Sequence, residues 1–301
     1  MTSWRMVCVV AFVLGCGDNS DDTDTDTDTD IEDGTGFNPW DGDIIGDFAC
    51  YTAGEAWRTD AVDTAKQVLS GLDGVVLDFE SDDPVPDATV QLYFDDDAST
   101  GAPDAVATSA QDGTFTMEVP SCQPTTYKTS TDPALDATKV TWEAHQIFGY
   151  AGDDARISAD VNSVSKTTYA IIPGILGVSV DKDKSVIAGA AYDCNWLEVQ
   201  GGQVKVVNVA DGSEPDGVAI HYFRDSFPSR DQPVISPDGL WLAANVPTGE
   251  WEIQLWGLQG DVEVHLGSTR LNTVADSINI ANIYSGYGDG VRYPDSCLLT
   301  E

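Results

Sequence analysis

The chain has 301 residues, enough for about two domains of ~150 residues each, and its apolar fraction of 42% can fill packed cores. Acidic residues number 51 against 14 basic ones, which gives a formal net charge of −37 at pH 7. Such a chain repels phosphate backbones, which excludes nucleic-acid binding. It also repels anionic membrane surfaces, so membrane attachment requires a covalent lipid or a hydrophobic segment. The acidity is spread along the whole chain, which indicates a solubilising surface more than a divalent-cation site.

The first 15 residues predict an export signal. Arg5 precedes an apolar run, residues 6–14, that is about nine residues long, far below the ~20 needed to span a bilayer. The letters VLGC, which end at Cys16, resemble a bacterial lipobox. The resemblance implies a signal peptide over 1–15 and a lipid thioether on Cys16. It also implies a place in the bacterial cell envelope as an outer-membrane lipoprotein, periplasmic or surface-exposed. The alternative is an ordinary secretory signal with an incidental cysteine.

Residues 16–36 are predicted to form the lipidated start and a disordered acidic linker. The segment has almost no apolar side chains and a dense ladder of alternating Asp and Thr, so self-repulsion stretches it. An EF-hand loop needs acidic residues at positions one, three and five before the Gly. Counting back from Gly34 places Thr29 and Ile31 at positions one and three, so the register is wrong. No cofactor is predicted here beyond weak, nonspecific Ca²⁺ association.

The cysteines predict two disulfides. Cys8 leaves with the signal, and an even number in an oxidising compartment is typical of disulfide pairing. The spacing differs from that of a zinc knuckle, whose cysteines lie two to four residues apart. Three pairings are open, and we favour the one that keeps each bond within one module, Cys50–Cys122 and Cys194–Cys297. The disulfide candidates are Cys50, Cys122, Cys194 and Cys297.

Strand-like runs broken by Gly, Pro and Asp begin at Gly71. The stretch VPDATVQLYF alternates with the period of a half-buried strand. In SAQDGTFTMEVPS, the turn dipeptide Asp112–Gly113 precedes a β-rich run with Phe115 and Met117 on one face. The second half repeats this order with GGQVKVVNV, VAIHYF and SPDGLWLAANVPTGEWEIQLWG, where Asp238–Gly239 is the turn. The order of elements predicts an internal repeat.

Aligning the two Asp-Gly turns brings Phe115 beside Trp241, and Val119–Pro120 beside Val246–Pro247 after a one-residue gap. This pattern resembles the carboxypeptidase regulatory-like domain, a transthyretin-like β-sandwich. The resemblance covers roughly 71–128 and 185–257. It implies modules that serve as spacers, stabilising accessory domains or binding modules, so it indicates a fold more than a function.

The fold class expected is therefore all-β, with two transthyretin-like or Ig-like β-sandwich modules after a lipoprotein signal and a disordered Asp/Thr-rich tether. The predicted first sandwich spans 37–150, a connecting segment spans 151–184, and the second sandwich spans 185–301. The connecting segment contains the apolar stretch TTYAIIPGIL, which we expect to pack between the modules. Pro173–Gly174 is expected to break it, leaving a short helical turn.

No catalytic residue and no metal ligand is predicted. A carboxypeptidase zinc site needs closely spaced His and Glu, whereas His145, His221 and His265 stand in strand-like surroundings with no Glu three residues later. Neither a nucleophile elbow nor a phosphate-cradling loop occurs in the sequence. The acidic run 95–97 (Asp95, Asp96, Asp97) is either a Ca²⁺ loop or, more simply, a solvated hairpin end.

Tryptophans in the second module are the remaining lead. Trp251, Ile253 and Leu255 alternate as a core face does. Trp256 falls on the opposite face and is expected to be the most exposed of them. Sugar rings stack on exposed aromatic faces, so Trp256 is the candidate ligand-stacking residue.

These observations favour a non-enzymatic, lipid-anchored envelope protein whose modules act as display, spacer or docking domains. Its expected partners are the membrane, through the N-terminal lipid, and an envelope protein or a glycan. The alternative is a carbohydrate-binding module that acts on cell-wall or extracellular glycan. An enzyme of a type the motifs do not show is the third hypothesis.

Overall fold

The computed structural model describes residues 42–51, 56–79, 81–94, 101–135, 137–152 and 155–299. Over these residues the chain is all-β with one α-helix, which confirms the predicted fold class. The predicted signal, Cys16, the acidic linker and Asp95–Asp97 lie outside the described residues. Short 3-10 helices cover Thr64–Lys66 and Asp295–Cys297. The other elements, in chain order, are β1 (Leu69–Asp78), β2 (Ala88–Tyr93), β3 (Ala105–Thr108), β4 (Thr114–Pro120), β5 (Pro124–Thr131), β6 (Thr138–Lys139), β7 (Thr141–Ile147), β8 (Ile157–Ser165), α1 (Lys166–Leu176), β9 (Lys184–Tyr192), β10 (Gln203–Asn208), β11 (Ala219–Arg224), β12 (Phe227–Ser229), β13 (Leu240–Pro247), β14 (Gly249–Gln259), β15 (Val262–Thr273), β16 (Ile278–Ile280) and β17 (Ile283–Tyr284).

The N-terminal sandwich packs the sheet β4-β1-β8-β6 against the strands β7-β5-β2-β3. β1 pairs antiparallel with β4 and parallel with β8. Phe115 lies so close to Gly74 that a Cβ there would meet the ring at 2.2 Å, which explains a glycine inside β1. The buried apolar core of this sandwich is Leu72, Val76, Val85, Ala88, Val90, Leu92, Phe115, Val119, Tyr127, Phe148, Ile157 and Val161.

The C-terminal sandwich repeats this plan. β9 pairs antiparallel with β13 and parallel with β16, as β1 pairs with β4 and β8. The opposing sheet is β10-β14-β15, with Trp251, Ile253 and Leu255 buried in the core as their alternation predicted. These pairings agree with the internal repeat, with one difference: β3 pairs with β2, whereas β11, at the same place in the chain order, pairs with β13.

Both Asp-Gly turns form by the same local chemistry. The amide of Thr114 donates to Asp112 Oδ1 at 3.2 Å, and the amide of Leu240 donates to Asp238 Oδ1 at 3.1 Å. Gly113 and Gly239 take positive φ values of 75° and 71°, which favour glycine. The aromatic residue two positions after each glycine is buried, so each turn aims one large ring into its core.

One sheet of each sandwich belongs to a single larger sheet. β16 lies between β7 and β9 and pairs parallel with both. It thereby joins strands of the two sandwiches into one sheet with the order β12-β11-β13-β9-β16-β7-β5-β2-β3. The connecting segment 151–184 supplies β8, which pairs with β1, as well as α1. The division at 37–150, 151–184 and 185–301 stays a prediction.

The helix α1 is longer than the short turn expected, and the break expected at Pro173–Gly174 is wrong. Ser165 caps its start by accepting from the Thr168 amide at 3.0 Å, and Gly177 ends it with a φ of 73°. Proline lacks an N–H and its ring crowds the carbonyl of residue i−4. The helix nevertheless continues through Pro173 to Leu176, and Arg230 donates to the Gly174 carbonyl at 3.0 Å. The helix contacts β6 and β8 of the N-terminal sandwich and β12 of the C-terminal one, so the stretch packs between the two sandwiches as expected.

Residues 42–51, which we call the strap, pack against the C-terminal sandwich. The Ile44 amide donates to the Leu258 carbonyl and the Ile45 amide to the Gln200 carbonyl, both at 2.8 Å. Ile44 is 7% exposed and joins the core, whereas its neighbour Ile45 is 59% exposed. A Cβ on Gly257 would lie 2.6 Å from Ile44 Cδ1, so glycine is required where the strap approaches. The strap therefore completes the sandwich that lies farther along the sequence.

Two disulfides form from the four predicted cysteines, but the favoured pairing is wrong. The bonds are Cys50–Cys194 and Cys122–Cys297, with sequence separations of 144 and 175. The prediction assumed that each bond closes one module. The strap instead carries Cys50 to the C-terminal sandwich, and the C-terminal tail carries Cys297 to the N-terminal one. The bonds therefore interleave along the sequence and tie the two sandwiches together.

Candidate binding surface

Aromatic rings form a continuous series across the outer face of β10-β14-β15. Tyr51, Trp57, His265 and Trp256 make up this ring ladder. Ring centroids are 5.7 Å apart between Tyr51 and Trp57, 5.0 Å between Trp57 and His265, and 4.9 Å between His265 and Trp256. Alternation in β14 turns Trp256 outward while its neighbours Leu255 and Ile253 point into the core. The ladder brings the predicted stacking residue beside side chains that are remote in sequence.

Trp256 is half-buried, so it is less exposed than its alternation suggested. The His265 ring stacks on it at an interplanar angle of 10°, and Lys205 Nζ lies 4.5 Å from its ring centroid. Because β14 lies between β10 and β15, these two side chains approach the indole from opposite sides. The stacking role of Trp256 stays a prediction, and it requires a ligand that displaces Lys205.

The polar side chains beside the ladder are paired with one another. Trp256 Nε1 donates to Gln254 Oε1 at 2.9 Å, and Gln254 Nε2 donates to Glu252 Oε1 at 2.8 Å. Arg270 Nε donates to Glu252 Oε2 at 2.8 Å. This row offers hydrogen bonds and stacking to a ligand, and it contains no nucleophile held by a general base.

His265 is the imidazole of the ladder. Burial lowers the pKa of His265 below its ordinary value, and Lys205 lowers it further while Glu252 opposes the shift. His265 Nε2 is buried and accepts or donates no hydrogen bond within the described residues. The imidazole is therefore neutral at neutral pH, which suits its place between two indoles.

A second aromatic cluster is already filled by the chain. The Arg292 guanidinium lies 4.1 Å from the Trp196 ring centroid and close to Tyr284 and Tyr287. It donates to the Asp193 carbonyl at 3.0 Å and to the Cys194 carbonyl at 2.6 Å. Such a cage recognises cations, but here its occupant is the protein's own arginine. The cluster therefore fixes the C-terminal tail beside the Cys50–Cys194 bond.

A buried acid lies inside the N-terminal sandwich, and sequence analysis did not single it out. Glu143 accepts hydrogen bonds from the Tyr127 hydroxyl and, at 3.1 Å, from Asn162 Nδ2. Burial raises the pKa of Glu143, and burial together with Glu143 raises the pKa of Tyr127. The available signal was a Glu set between Trp142 and Ala144. Its hydrogen-bond partners come from β5 and β8, which local pattern does not reveal.

The histidines lie on strands as predicted, His145 in β7, His221 in β11 and His265 in β15. His145 Nε2 contacts the Arg270 carbonyl, so it links the two sandwiches. In the part of the chain that the structure describes, no group of three or more His, Cys, Asp or Glu side chains is arranged to hold a metal ion.

A polar groove of about 610 Å³ lies on the outer face of β2 and β5. Thr89 and Gln91 of β2, Lys128 of β5 and the apolar side chain of Leu135 line it. Lys128 Nζ also lies 5.3 Å from the Trp142 ring centroid. Sequence analysis missed this groove because its walls come from segments roughly 40 residues apart, whose pairing is a tertiary property.

No family model and no curated protein matches the sequence. Among solved structures, the chain is similar to the Bacillus anthracis TIE protein, with 12% identity, a TM-score of 0.25, and coverage of 72% of this chain and 33% of that one. A streptococcal ancillary pilin matches with 10% identity and a TM-score of 0.22, covering 72% and 62%. The shaft pilin SpaA of Lactobacillus rhamnosus GG matches with 9% identity and a TM-score of 0.22, covering 72% and 98%. The matched part thus spans a third of the first protein, and at these TM-scores the likenesses carry no argument for function.

Across the described ranges, no helix has the length and apolar character needed to cross a membrane.

Proposed function

We propose that this chain is a non-enzymatic, lipid-anchored envelope protein whose two sandwiches form one displayed body. The observation that carries the proposal is the strap. It lies a few residues after the predicted acidic tether, 16–36, and the Cys50–Cys194 bond fixes it to the C-terminal sandwich. A tether that ends in a covalently fixed strap suits a body held at a distance from its anchor.

Disulfide bonding supports an exported location. Such bonds persist in oxidising compartments and are rare in the cytosol. Together with the signal-like residues 1–15 and the lipobox-like cysteine, they favour the cell envelope, and we propose an outer-membrane lipoprotein. The carboxypeptidase regulatory-like pattern favours a spacer or docking role over bond-making chemistry.

The anchor is tested by growing cells with an alkyne analogue of palmitate. We expect the wild type to take up the label and to sediment with membranes. Cys16→Ser should lose the label and leave the membrane fraction. Equal labelling of the two proteins would refute the anchor.

The docking role is tested with a pull-down from intact envelope, in which stoichiometric capture of one envelope protein is the expected result. Turnover of an ester, peptide or glycoside by the purified chain would contradict the non-enzymatic proposal.

The ring ladder favours a second candidate function, binding of an envelope or extracellular glycan at Trp256. Stacking needs one free face of the indole, and Lys205 covers the face away from His265. On a glycan array, Trp256→Ala should abolish binding, whereas Lys205→Ala should leave it intact or strengthen it. A glycan bound equally by the wild type and Trp256→Ala would rule out this site.

A further inference from the structure

The body has two ends along the direction of its strands. β7, β16 and β9 run parallel, so their C-terminal ends lie together. We call that side the tether end, because the strap lies there against the residues that follow β9: the Cys194 amide donates to the Asp47 carbonyl at 2.8 Å. The Cys122 amide donates to the Phe148 carbonyl, just past β7, so the second disulfide lies at the same end.

The opposite side, the distal end, is formed by loops from both sandwiches. The Asp276 amide donates to the Lys184 carbonyl, and the Ile278 amide to the Val140 carbonyl, at the starts of β9 and β7. Lys184 also pairs with Pro247, at the turn into β14. These contacts bring the loops 131–138, 181–184 and 247–249 to one side of the body. Nine residues of β9 at ~3.3 Å each separate the two ends by about 30 Å.

From this geometry we infer that the tether end faces the membrane and that the distal end is presented outwards. The inference rests on the proposed lipid anchor. A fully extended chain of the length of residues 16–41 spans up to about 90 Å, and the described part of the body begins at the strap. A bulky body joined by one end to a tether on a surface keeps that end nearer the surface, because the reversed orientation brings its bulk against the bilayer.

Charge does not distinguish the two ends, because both carry exposed acidic residues. They are Asp43, Asp47 and Glu198 at the tether end and Asp132, Asp183 and Asp276 at the distal end. The polar groove is bounded by the distal loop 131–135 and therefore lies on the outward side, where a partner arriving from outside would meet it.

The order of the chain in space differs from its order in sequence. The N-terminal residues of the body lie on the C-terminal sandwich, and the C-terminal tail lies on the N-terminal one: the Asp63 amide donates to the Cys297 carbonyl at 2.9 Å. Neither sandwich is therefore simply proximal or distal. The relevant distinction is between the two ends that both sandwiches share.

The test measures Förster transfer from labelled full-length lipoprotein to an acceptor on the headgroups of phosphatidylethanolamine–phosphatidylglycerol vesicles. A fluorophore is placed through an unnatural amino acid at one of four exposed positions. Val262, 60% exposed, and Leu299, 59% exposed, lie at the tether end of the C-terminal and N-terminal sandwiches. Thr248 and Leu135, the latter 57% exposed, lie at the distal end of the same two sandwiches.

We expect transfer roughly twofold higher at 262 and 299 than at 248 and 135, from the separation of about 30 Å. Equal transfer at all four positions, or higher transfer at 248 and 135, would overturn the inference. A third result would also overturn it: equal transfer at 262 and 248, both on the C-terminal sandwich, that differs from the transfer at 299 and 135, both on the N-terminal sandwich. The distance from the membrane would then depend on the sandwich and not on the end. If none of the four labelled proteins binds to the vesicles, the lipid anchor itself is refuted.

Discussion

The N-terminal and C-terminal sandwiches share one strand plan but differ in what completes them. The C-terminal sandwich takes its last core residue, Ile44, from the strap near the start of the chain. The N-terminal sandwich takes its disulfide partner, Cys297, from the end of the chain. Each sandwich is thus completed by residues from the opposite end of the chain. The two disulfides, which interleave along the sequence, make the two sandwiches one covalently linked body.

The cores differ as well. The C-terminal core cluster consists of apolar and aromatic side chains, whereas the N-terminal sandwich buries a carboxyl group, Glu143, with Tyr127 and Asn162 between its sheets. Buried polar groups cost stability unless they are paired, so the stability of the N-terminal sandwich depends on this hydrogen-bonded set. Stability of the two sandwiches should therefore respond differently to pH.

The largest effect should come from separating the sandwiches. The fragment 37–150 lacks β8, which pairs with β1 over seven residues, and it lacks Cys297. We expect this fragment to give no dispersed NMR spectrum and no cooperative unfolding, while the full chain gives both. A fragment that unfolds cooperatively on its own would show that the N-terminal sandwich is autonomous.

Removing one interleaved bond should come next. Chain-entropy estimates assign about 5 kcal/mol to a bond that closes so long a loop. Cys122→Ser with Cys297→Ser should lower the free energy of unfolding by up to that amount in denaturant titrations. The matched pair Cys50→Ser with Cys194→Ser should lose a similar amount, because the two sequence separations, 144 and 175, differ little. A loss confined to one pair would show that only one terminus closes the body.

The strap offers a matched pair of adjacent residues. Ile44→Ala removes buried methylenes from the core and should destabilise the protein by about 2–4 kcal/mol. Ile45→Ala, at a position 59% exposed, should change the free energy of unfolding by less than about 0.5 kcal/mol. Chemical denaturation of the two variants measures both values, and equal effects would mean that the strap is not part of the core.

The smallest effect should come from Glu143→Gln, and it should depend on pH. Burial holds the folded pKa of Glu143 above its unfolded value, so the folded state keeps the proton to higher pH. Binding of this proton contributes its full stabilisation at pH values below the unfolded pKa of a glutamate. That stabilisation is lost as the pH rises through the raised pKa of the folded state. Glutamine keeps an acceptor for Tyr127 and Asn162 without the charge. At pH 8 the variant should be more stable than the wild type, and this advantage should be absent at pH 4. Melting curves with no pH-dependent difference would contradict this.

Local patterns predicted the elements well. Alternation placed Trp251 in the core, and the Asp-Gly dipeptides placed both turns, because these features depend on neighbours in sequence. The strap escaped prediction because Ile44 and Ile45 are identical neighbours, and only packing against Gly257 decides which is buried. The disulfide pairing depends on contacts more than a hundred residues away. The partners of Glu143 come from the neighbouring strands β5 and β8, whose placement around it is a tertiary property, so no local signal carries either feature.

The most direct test of this account is peptide mapping of the native protein under non-reducing conditions. Proteolysis followed by mass spectrometry should give linked peptides that contain Cys50 with Cys194 and Cys122 with Cys297. Linked peptides that contain Cys50 with Cys122 and Cys194 with Cys297 would contradict it, because each sandwich would then be closed by its own residues.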